Sequence, residues 1–315
     1  MEKTANVETK TPQMMVPYSN EETSQFWHNV MSADTAVRIP TGFNQLDKVL
    51  GGGLRSGLYV LLAAPGTGKT TLCLQMMDNF ARTGTDVILF SGEMSTTEVL
   101  AKIYSRYTYT GNALPIMSAT DILDLSRDPN SVEIAKVLHE AYLPVAAKTV
   151  MVSQDRIISR TTIRDVVEAH IAVTGNRPVV CIDYLQIVAK KLFSEATEKQ
   201  NVDGLLAQLK EVSNQFDVPI LLISSVNRAS YNERLTLASA KESGGIEYTA
   251  DVIIGMDYRD PRNKGHVFYQ ENPDEPRELE LQILKNRMGS WGGIKLRFFA
   301  KYSYFEEESM YKRVY

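Results

Sequence analysis

Leu58-Tyr59-Val60-Leu61-Leu62 is an apolar run that leads directly into Ala63-Ala64-Pro65-Gly66-Thr67-Gly68-Lys69-Thr70, and Thr71 to Ala81 then reads as a helix. The order is strand, glycine-rich loop, helix. A glycine-rich turn at a helix start points backbone N–H groups at phosphate oxygens, and the helix dipole favours negative charge there. Lys69 is the cation expected to reach the β- and γ-phosphates, and the Thr70 hydroxyl is expected to hold Mg²⁺. Ala64, Pro65, Gly66, Thr67, Gly68 and Thr71 complete the expected nucleotide cradle. The usual first glycine of this motif is Ala63 here, so the reading rests on Gly66, Gly68, Lys69 and Thr70 in their strand-to-helix context.

Composition limits what such a loop can belong to. With 315 residues, 43% of them hydrophobic and 23% charged, the chain can bury a full core and suits one large α/β domain with short appendages. No run approaches the ~18 apolar residues that span a bilayer, and the polar N-terminus lacks the basic-then-apolar order of a signal peptide. A cytoplasmic protein without membrane contact is expected. Cys73 and Cys181 are the only cysteines, each inside an apolar segment, with no C-x-x-C spacing and no evident metal partner among His28, His139, His170 and His266. Buried reduced thiols are expected, not a disulfide or a zinc site. A net charge of −4 gives no global field that attracts nucleic acid, so any such contact has to be local and made by loops.

Residues 1–18 are polar and without pattern, and read as a flexible arm. Residues 19–37 read as a short linker in which Ser19 or Asn20 caps a helix from Glu21 to Met31, with Phe26, Trp27, Val30 and Met31 on one side. So apolar a face on so short a helix needs a partner, either its own domain or a neighbouring subunit. From residue 38 to 315 strands and helices alternate in one α/β domain. Apolar runs at Val87–Phe90, Thr149–Val152, Val179–Ile182, Ile220–Ile223 and Val252–Met256 are separated by helical stretches, which predicts parallel β-α-β crossovers. Leu279–Leu284 and Ile294–Phe299 are separated by turns and read as an antiparallel extension. Tyr107 to Lys148 shows no clear pattern.

A phosphate loop alone says that a nucleotide binds. Hydrolysis needs partners at other strand ends. Val179-Val180-Cys181-Ile182-Asp183 is an apolar strand ending in a carboxylate, where Asp183 can hold Mg²⁺ through its water shell. Val87-Ile88-Leu89-Phe90-Ser91-Gly92-Glu93 ends in a glutamate that adjoins the nucleotide if this second strand lies beside the first. Glu93 could accept the proton of an attacking water. It also precedes Met94-Ser95-Thr96-Thr97-Glu98, in which Ser95 and Glu98 form a capping box, so a purely local role at the helix start stays open.

Several stretches together resemble the RecA-like motor domain of the DnaB-type replicative DNA helicases. They are Thr41-Gly42-Phe43 with Leu46-Asp47 and Gly51-Gly52-Gly53-Leu54, the phosphate loop, Ser91-Gly92-Glu93-Met94, Ile182-Asp183-Tyr184-Leu185-Gln186, Glu242-Ser243-Gly244-Gly245-Ile246-Glu247 and Lys285-Asn286-Arg287. The resemblance runs from about residue 38 to 307. It implies a P-loop NTPase of RecA-like fold that takes ATP and Mg²⁺, forms a homo-oligomer, expected to be a hexameric ring, and moves along single-stranded DNA, with other replication proteins as further partners. It further implies that Glu93 activates water, that Asp183 is the Mg²⁺ partner, and that Lys285 with Arg287 reaches the γ-phosphate held by the next subunit. Without the resemblance, Lys285 and Arg287 read as two solvated charges at alternate positions of an edge strand, on one face of it.

The chain departs from the family in three respects. The γ-phosphate sensor position, usually Gln, is Ser225. The loop from Arg228 to Lys241, implied to line a DNA channel, carries only Arg228, Arg234 and Lys241 as cations. No helical domain of the family's N-terminal kind fits before residue 38, so a motor domain alone is expected. Two other readings remain, a recombinase-type or KaiC-like RecA ATPase and a non-motor ATP-dependent switch that regulates or loads another helicase.

Overall fold

The structure is a computed structural model that describes residues 38–111, 114–152, 160–183, 185, 197–227, 230–231, 233–240, 243–260, 269, 272, 274–287 and 289–308, with 23, 24 and 27. The chain divides into two compact units, Met1–Val37 and Arg38–Tyr315. In the first, Thr23, Ser24 and Trp27 are helical, while Phe26, Val30 and Met31 of the expected apolar face lie outside the described residues.

The second unit is built on a nine-stranded sheet of order β3-β2-β4-β5-β1-β6-β7-β8-β9. The strands are β1 Gly57–Ala63, β2 Val87–Ser91, β3 Thr149–Val152, β4 Val179–Asp183, β5 Pro219–Ser225, β6 Val252–Tyr258, β7 Arg277–Asn286, β8 Gly293–Phe299 and β9 Tyr304–Glu307. β1 to β6 pair in parallel, and β7, β8 and β9 continue the sheet antiparallel. This is the architecture expected from the apolar runs, each of which lies within a strand. β1 is buried at every position because both faces are covered. Tyr59, Leu61 and Ala63 enter one core cluster with Leu72, Met76 and Phe80, whereas Leu58, Val60 and Leu62 enter another with Leu205, Leu206 and Leu209. Period-two alternation in a parallel strand with helices on both sides leaves no polar face, which is why the sequence reads as a continuous apolar run. Each such side chain contributes about 1.5–3 kcal/mol when fully buried.

β7 behaves differently. Leu279, Leu281 and Ile283 are buried between less buried neighbours, as suits an antiparallel strand with one apolar face. It lies between β6 and β8, so it is an interior strand and not the edge strand read from its charges. β9 was not expected, because four residues after a one-turn helix at Ala300–Tyr302 are too few for a pattern, and the left-handed turn at Ser303 (φ 52°) carries no glycine to announce it. The patternless stretch holds helices Ala119–Leu123 and Ser131–Ala146. Cys73 and Cys181 are free and buried, as expected. Among the described residues no helix is long and apolar enough to cross a membrane.

The helix that follows the glycine-rich loop, Lys69–Arg82, is fastened to the far end of the sheet. Gln75 is 7% exposed and pairs with β9 as a strand would, donating from Nε2 to the Phe305 carbonyl (2.8 Å) and accepting from the Phe305 N–H at Oε1 (2.7 Å). Asp78 of this helix forms a buried ion pair with Arg106, which also donates to the Ser303 carbonyl at 3.1 Å. The same helix steadies the Thr-Gly-Phe segment, since Asn79 donates to the Thr41 carbonyl at 2.9 Å and Asp47 accepts from both the N–H and hydroxyl of Thr41 at 2.8 Å. These residues do structural work at a distance from the loop.

Replacing Gln75 by Ala leaves the N–H and C=O of Phe305 buried without partners. Unfolding in urea should then show a loss of about 2 to 4 kcal/mol, on the scale of two unsatisfied buried groups. An unchanged midpoint would mean that β9 is held by its pairing with β8 alone.

Candidate nucleotide site

The loop 64–68 rises from the end of β1 and closes on the helix Lys69–Arg82. Gly66 (φ 76°) and Gly68 (φ 101°) occupy the left-handed region, which a side chain resists. At Gly68 there is a second reason for glycine: a Cβ would approach Phe298 Cε1 to 2.7 Å, and Phe298 stacks on Phe305 at 4.1 Å between centroids. The loop therefore rests on the aromatic pair of β8 and β9. Thr67 donates its hydroxyl to the Ala64 carbonyl at 2.8 Å, and the ammonium of Lys69 donates to the carbonyls of Ala63 (3.0 Å) and Ala64 (2.9 Å). Lys69 is thus folded over the loop that it serves.

Asp183 ends β4 and is only 3% exposed. The Thr70 hydroxyl donates to its Oδ2 at 2.8 Å, so the two residues expected to hold Mg²⁺ are brought together. Burial pushes the Asp183 carboxyl up to about 6, against a bond from Thr70 and the charge of Lys69 that favour ionisation; nearby Glu93 raises it further. Burial lowers Lys69 to about 8, opposed by the charges of Asp183 and Glu93. Lys69 is charged at neutral pH, and Asp183 is ionised but poised.

Glu93 belongs to this group, by a route other than the one expected. β2 does not lie beside β1, because β4 and β5 intervene. β2 pairs with β4 instead, with Ser91 opposite Asp183 and the Gly92 N–H donating to the Asp183 carbonyl at 2.5 Å. The short turn after Ser91 then carries Glu93, an exposed side chain, to a position where Lys69 and Asp183 both feel its charge. The capping box forms without it: Ser95 accepts from the Glu98 N–H at 3.3 Å, and Glu98 accepts from the Ser95 N–H at 2.8 Å. The helix Thr96–Thr110 is closed by its own residues, and Glu93 takes no part in its cap. Among the described residues no cluster of three or more His, Cys, Asp or Glu side chains could hold a metal unaided. One hydroxyl and one carboxylate are a donor set suited to a hard cation that arrives with a triphosphate.

The profile of the DnaB-like helicase C terminal domain matches residues 38–307. The chain belongs to this family. It is 27% identical over 278 residues to the replicative DNA helicase DnaB of Geobacillus stearothermophilus, covering 85% of this chain and 56% of the relative. Identity to the replicative DNA helicase DnaC of Bacillus subtilis (strain 168) is 26% over 278 residues, with the same coverage of 85% and 56%. The chain thus spans little more than half the length of the curated relatives it matches. Among solved structures, a DnaB-like replicative helicase studied with its primase interactions aligns with a TM-score of 0.74 and 24% identity, over 91% of this chain and 67% of that one. A solved ATPase domain aligns with a TM-score of 0.75 and 23% identity, over 92% of this chain and 98% of that one. These likenesses establish the fold, RecA-like with antiparallel C-terminal strands.

Within this DnaB-like domain the remaining expected residues fall elsewhere. Lys285 is the penultimate residue of β7, just beyond a register shift opposite Ile253 and Ile254, and Arg287 follows the strand. Ala63 lies opposite Met256 and Met256 opposite Leu281, whereas Tyr59 lies opposite Val252 and Val252 opposite Asn286. Arg287 is therefore at the other end of the sheet from its own phosphate loop, roughly 15 Å or more along the strands at about 3.4 Å per residue. Lys285 and Arg287 converge on the C-terminal carbonyls of the helix Ser243–Thr249: Lys285 donates to Glu247 (2.5 Å) and Ala250 (2.7 Å), and Arg287 to Tyr248 (2.5 Å). Cations at a helix C-terminus are favoured by the dipole.

Ser225 ends β5 opposite Ala63, beside the loop. Beyond it, Val226 bridges to Ala240 and closes the stem of the following segment. Arg234 is exposed on that segment, beside exposed Glu233; Arg228 and Lys241 lie outside the described residues, as do Tyr184, Gln186 and Glu242. One contact of the loop went unread in the sequence. Arg277 donates to the Gly66 carbonyl at 2.9 Å and lies 5.6 Å from the Phe298 ring. An arginine opening a strand looks like any solvated charge, so only the fold connects it to Gly66.

The raised pKa of Asp183 makes both stability and cation binding depend on pH. Its folded pKa is raised, so the folded protein without nucleotide binds the proton more tightly than the unfolded chain. Stability from this group is fully present below the unfolded pKa of about 4 and is lost as pH rises through about 6. On the reading that Thr70 and Asp183 hold Mg²⁺, affinity for Mg²⁺-nucleotide should run the other way and drop about tenfold per unit below pH 6. Titration calorimetry on wild type and Asp183→Asn checks this, since the variant retains only the pH dependence of the nucleotide. Parallel curves for the two proteins would refute it.

Proposed function

We propose that this chain is the ATP-hydrolysing motor of a DnaB-type replicative helicase, working in the cytoplasm as a homo-oligomeric ring, hexameric as the family resemblance implies, on single-stranded DNA and alongside other replication proteins. The observation that carries the ATPase half is the convergence of the loop 64–68, Lys69, the Thr70–Asp183 pair at 2.8 Å and Glu93 at the C-terminal ends of β1, β4 and β2. Ala64, Pro65, Gly66, Thr67, Gly68 and Thr71 form the cradle, and Lys69 neutralises the β- and γ-phosphates. Thr70 and Asp183 would hold Mg²⁺, which supplies positive charge to the same oxygens. Glu93, unshared with the helix cap, takes the proton of the attacking water as the bond to the γ-phosphorus forms.

The oligomeric half is supported by the position of Arg287. A guanidinium stabilises the charge that phosphoryl transfer leaves on the γ oxygens. At the opposite end of the sheet from its own loop, Arg287 can meet such oxygens only in a neighbouring copy, with Lys285 beside it. Binding of single-stranded DNA by Arg228, Arg234 and Lys241 is the family's expectation, which exposed Arg234 permits.

Lys69→Ala should abolish hydrolysis and weaken nucleotide binding, while Glu93→Gln should bind ATP normally and turn it over about 10² more slowly, the scale of a lost general base. Steady-state ATPase rates and nucleotide titrations, with and without single-stranded DNA, check both. Normal turnover by Glu93→Gln would leave that residue as part of a loop and no more.

Arg287→Ala should bind ATP and hydrolyse it about 10³-fold more slowly, as when other arginine fingers are removed. Mixed with Lys69→Ala subunits, which keep the arginine but lack a working pocket, it should recover part of the rate. Absence of recovery in rings shown to contain both variants would end the reading that Arg287 acts on a neighbour.

A further inference from the structure

Asp251 occupies the turn into β6, between the helix Ser243–Thr249 and the residues at the end of β7. Its backbone is fixed on both sides, donating to the Leu58 carbonyl at 2.9 Å and accepting from the Arg287 N–H at 3.0 Å. Its carboxylate is shared. Oδ2 accepts from the Leu58 N–H at 2.8 Å and from the Lys210 ammonium at 2.5 Å, and Oδ1 accepts from Arg287 Nη1 at 3.3 Å. Two cations thus pair with one carboxylate, and Arg55 lines the same cavity, of about 150 Å³.

We propose that Asp251 is the positioning residue for Arg287, holding the guanidinium at the subunit edge in an orientation from which it can be handed to the phosphate of a neighbouring copy. This rests on the reading of Arg287 as acting in trans. The charge balance makes the hand-over feasible. A carboxylate paired with arginine alone would be left buried and unpaired when the arginine leaves, a heavy penalty. Here Lys210 and the Leu58 N–H keep Oδ2 satisfied while Oδ1 releases Nη1, the longest of the contacts to this carboxylate. Asp251 is 21% exposed in its side chain and Arg287 46%, so the arginine is the member of the pair that faces outward. Arg287 Nη2 also donates to the Tyr248 carbonyl at 2.5 Å, so Asp251 and the end of the helix Ser243–Thr249 together set the guanidinium's orientation.

The test uses the full chain, with ring assembly followed by light scattering. Asp251→Asn should bind ATP within threefold of wild type, because the pocket of its own subunit is at the other end of the sheet, and its kcat should fall at least tenfold. Asp251→Glu should keep more than a third of the wild-type kcat. Asp251→Asn should recover activity when mixed with Lys69→Ala subunits, which bring an intact Arg287 and Asp251 to its intact pocket, and should not recover with Arg287→Ala subunits. If Asp251→Asn does not fold, Lys210→Met replaces it, with the same pattern expected because Asp251 loses its Lys210 ion pair, keeps the one to Arg287 and releases that arginine less readily. A normal kcat overturns the proposal. So does a lower kcat that Lys69→Ala subunits fail to restore while they do restore Arg287→Ala, which would leave the trans reading standing and make Asp251 a residue of the fold. Failure of Arg287→Ala itself to recover removes the trans reading, and this proposal with it.

Discussion

Parallel pairing from β1 to β6 is the constraint on which everything else in the molecule depends. It sends the C-terminal ends of these strands to one edge of the sheet, so the loop after β1, the carboxylate ending β4 and the turn after β2 meet there although they are far apart in sequence. The same parallel arrangement demands crossover helices on both faces, and those helices bury β1 completely. A strand with no free face cannot slip or tilt without breaking two core clusters. The phosphate loop is thereby mounted on the least movable element of the fold.

That rigidity is set against an electrostatic tension at the site. Asp183 is almost fully buried, with a hydroxyl for its nearest partner and Glu93 adding like charge, so burial drives it toward the neutral acid. Lys69 is driven toward the neutral amine by the same desolvation, although both carboxylates support its charge. Each group is held in a form that bulk water would make comfortable and the protein does not. On the proposed function, a bound triphosphate with its cation would supply the charges that both groups lack.

Much of this could be read from the sequence, and the reasons differ from residue to residue. The strand-loop-helix around Lys69 was legible because glycines, lysine and threonine at fixed spacing have one local geometry. The parallel strands were legible as apolar runs. Strand order was not legible, and the condition under which Glu93 was to adjoin the nucleotide, β2 beside β1, does not hold: pairing of β2 with β4 depends on how crossovers pack, which no single strand records. β9 was missed because its order comes from Gln75, a residue some 230 positions earlier whose side chain imitates a strand. Lys285 and Arg287 were noticed for their charge and motif but assigned to an edge, since only the hairpin of β7 and β8 reveals that the sheet continues beyond them.

β7 has a property that follows from its length and hydrogen bonding together. It begins at Arg277, which holds the Gly66 carbonyl of the phosphate loop, and it ends immediately before Arg287, at the opposite edge. It is paired along β6 on one side and β8 on the other, so both of its edges are held. The two termini of one strand thus touch the phosphate loop of this copy and the cations at its far edge. A register shift opposite Ile253 and Ile254, next to Lys285, is the one irregularity between them, and it lies at the end where the cations sit. The bulge re-aims the side chains that follow it, and so brings Lys285 and Arg287 onto the carbonyls that end the helix Ser243–Thr249.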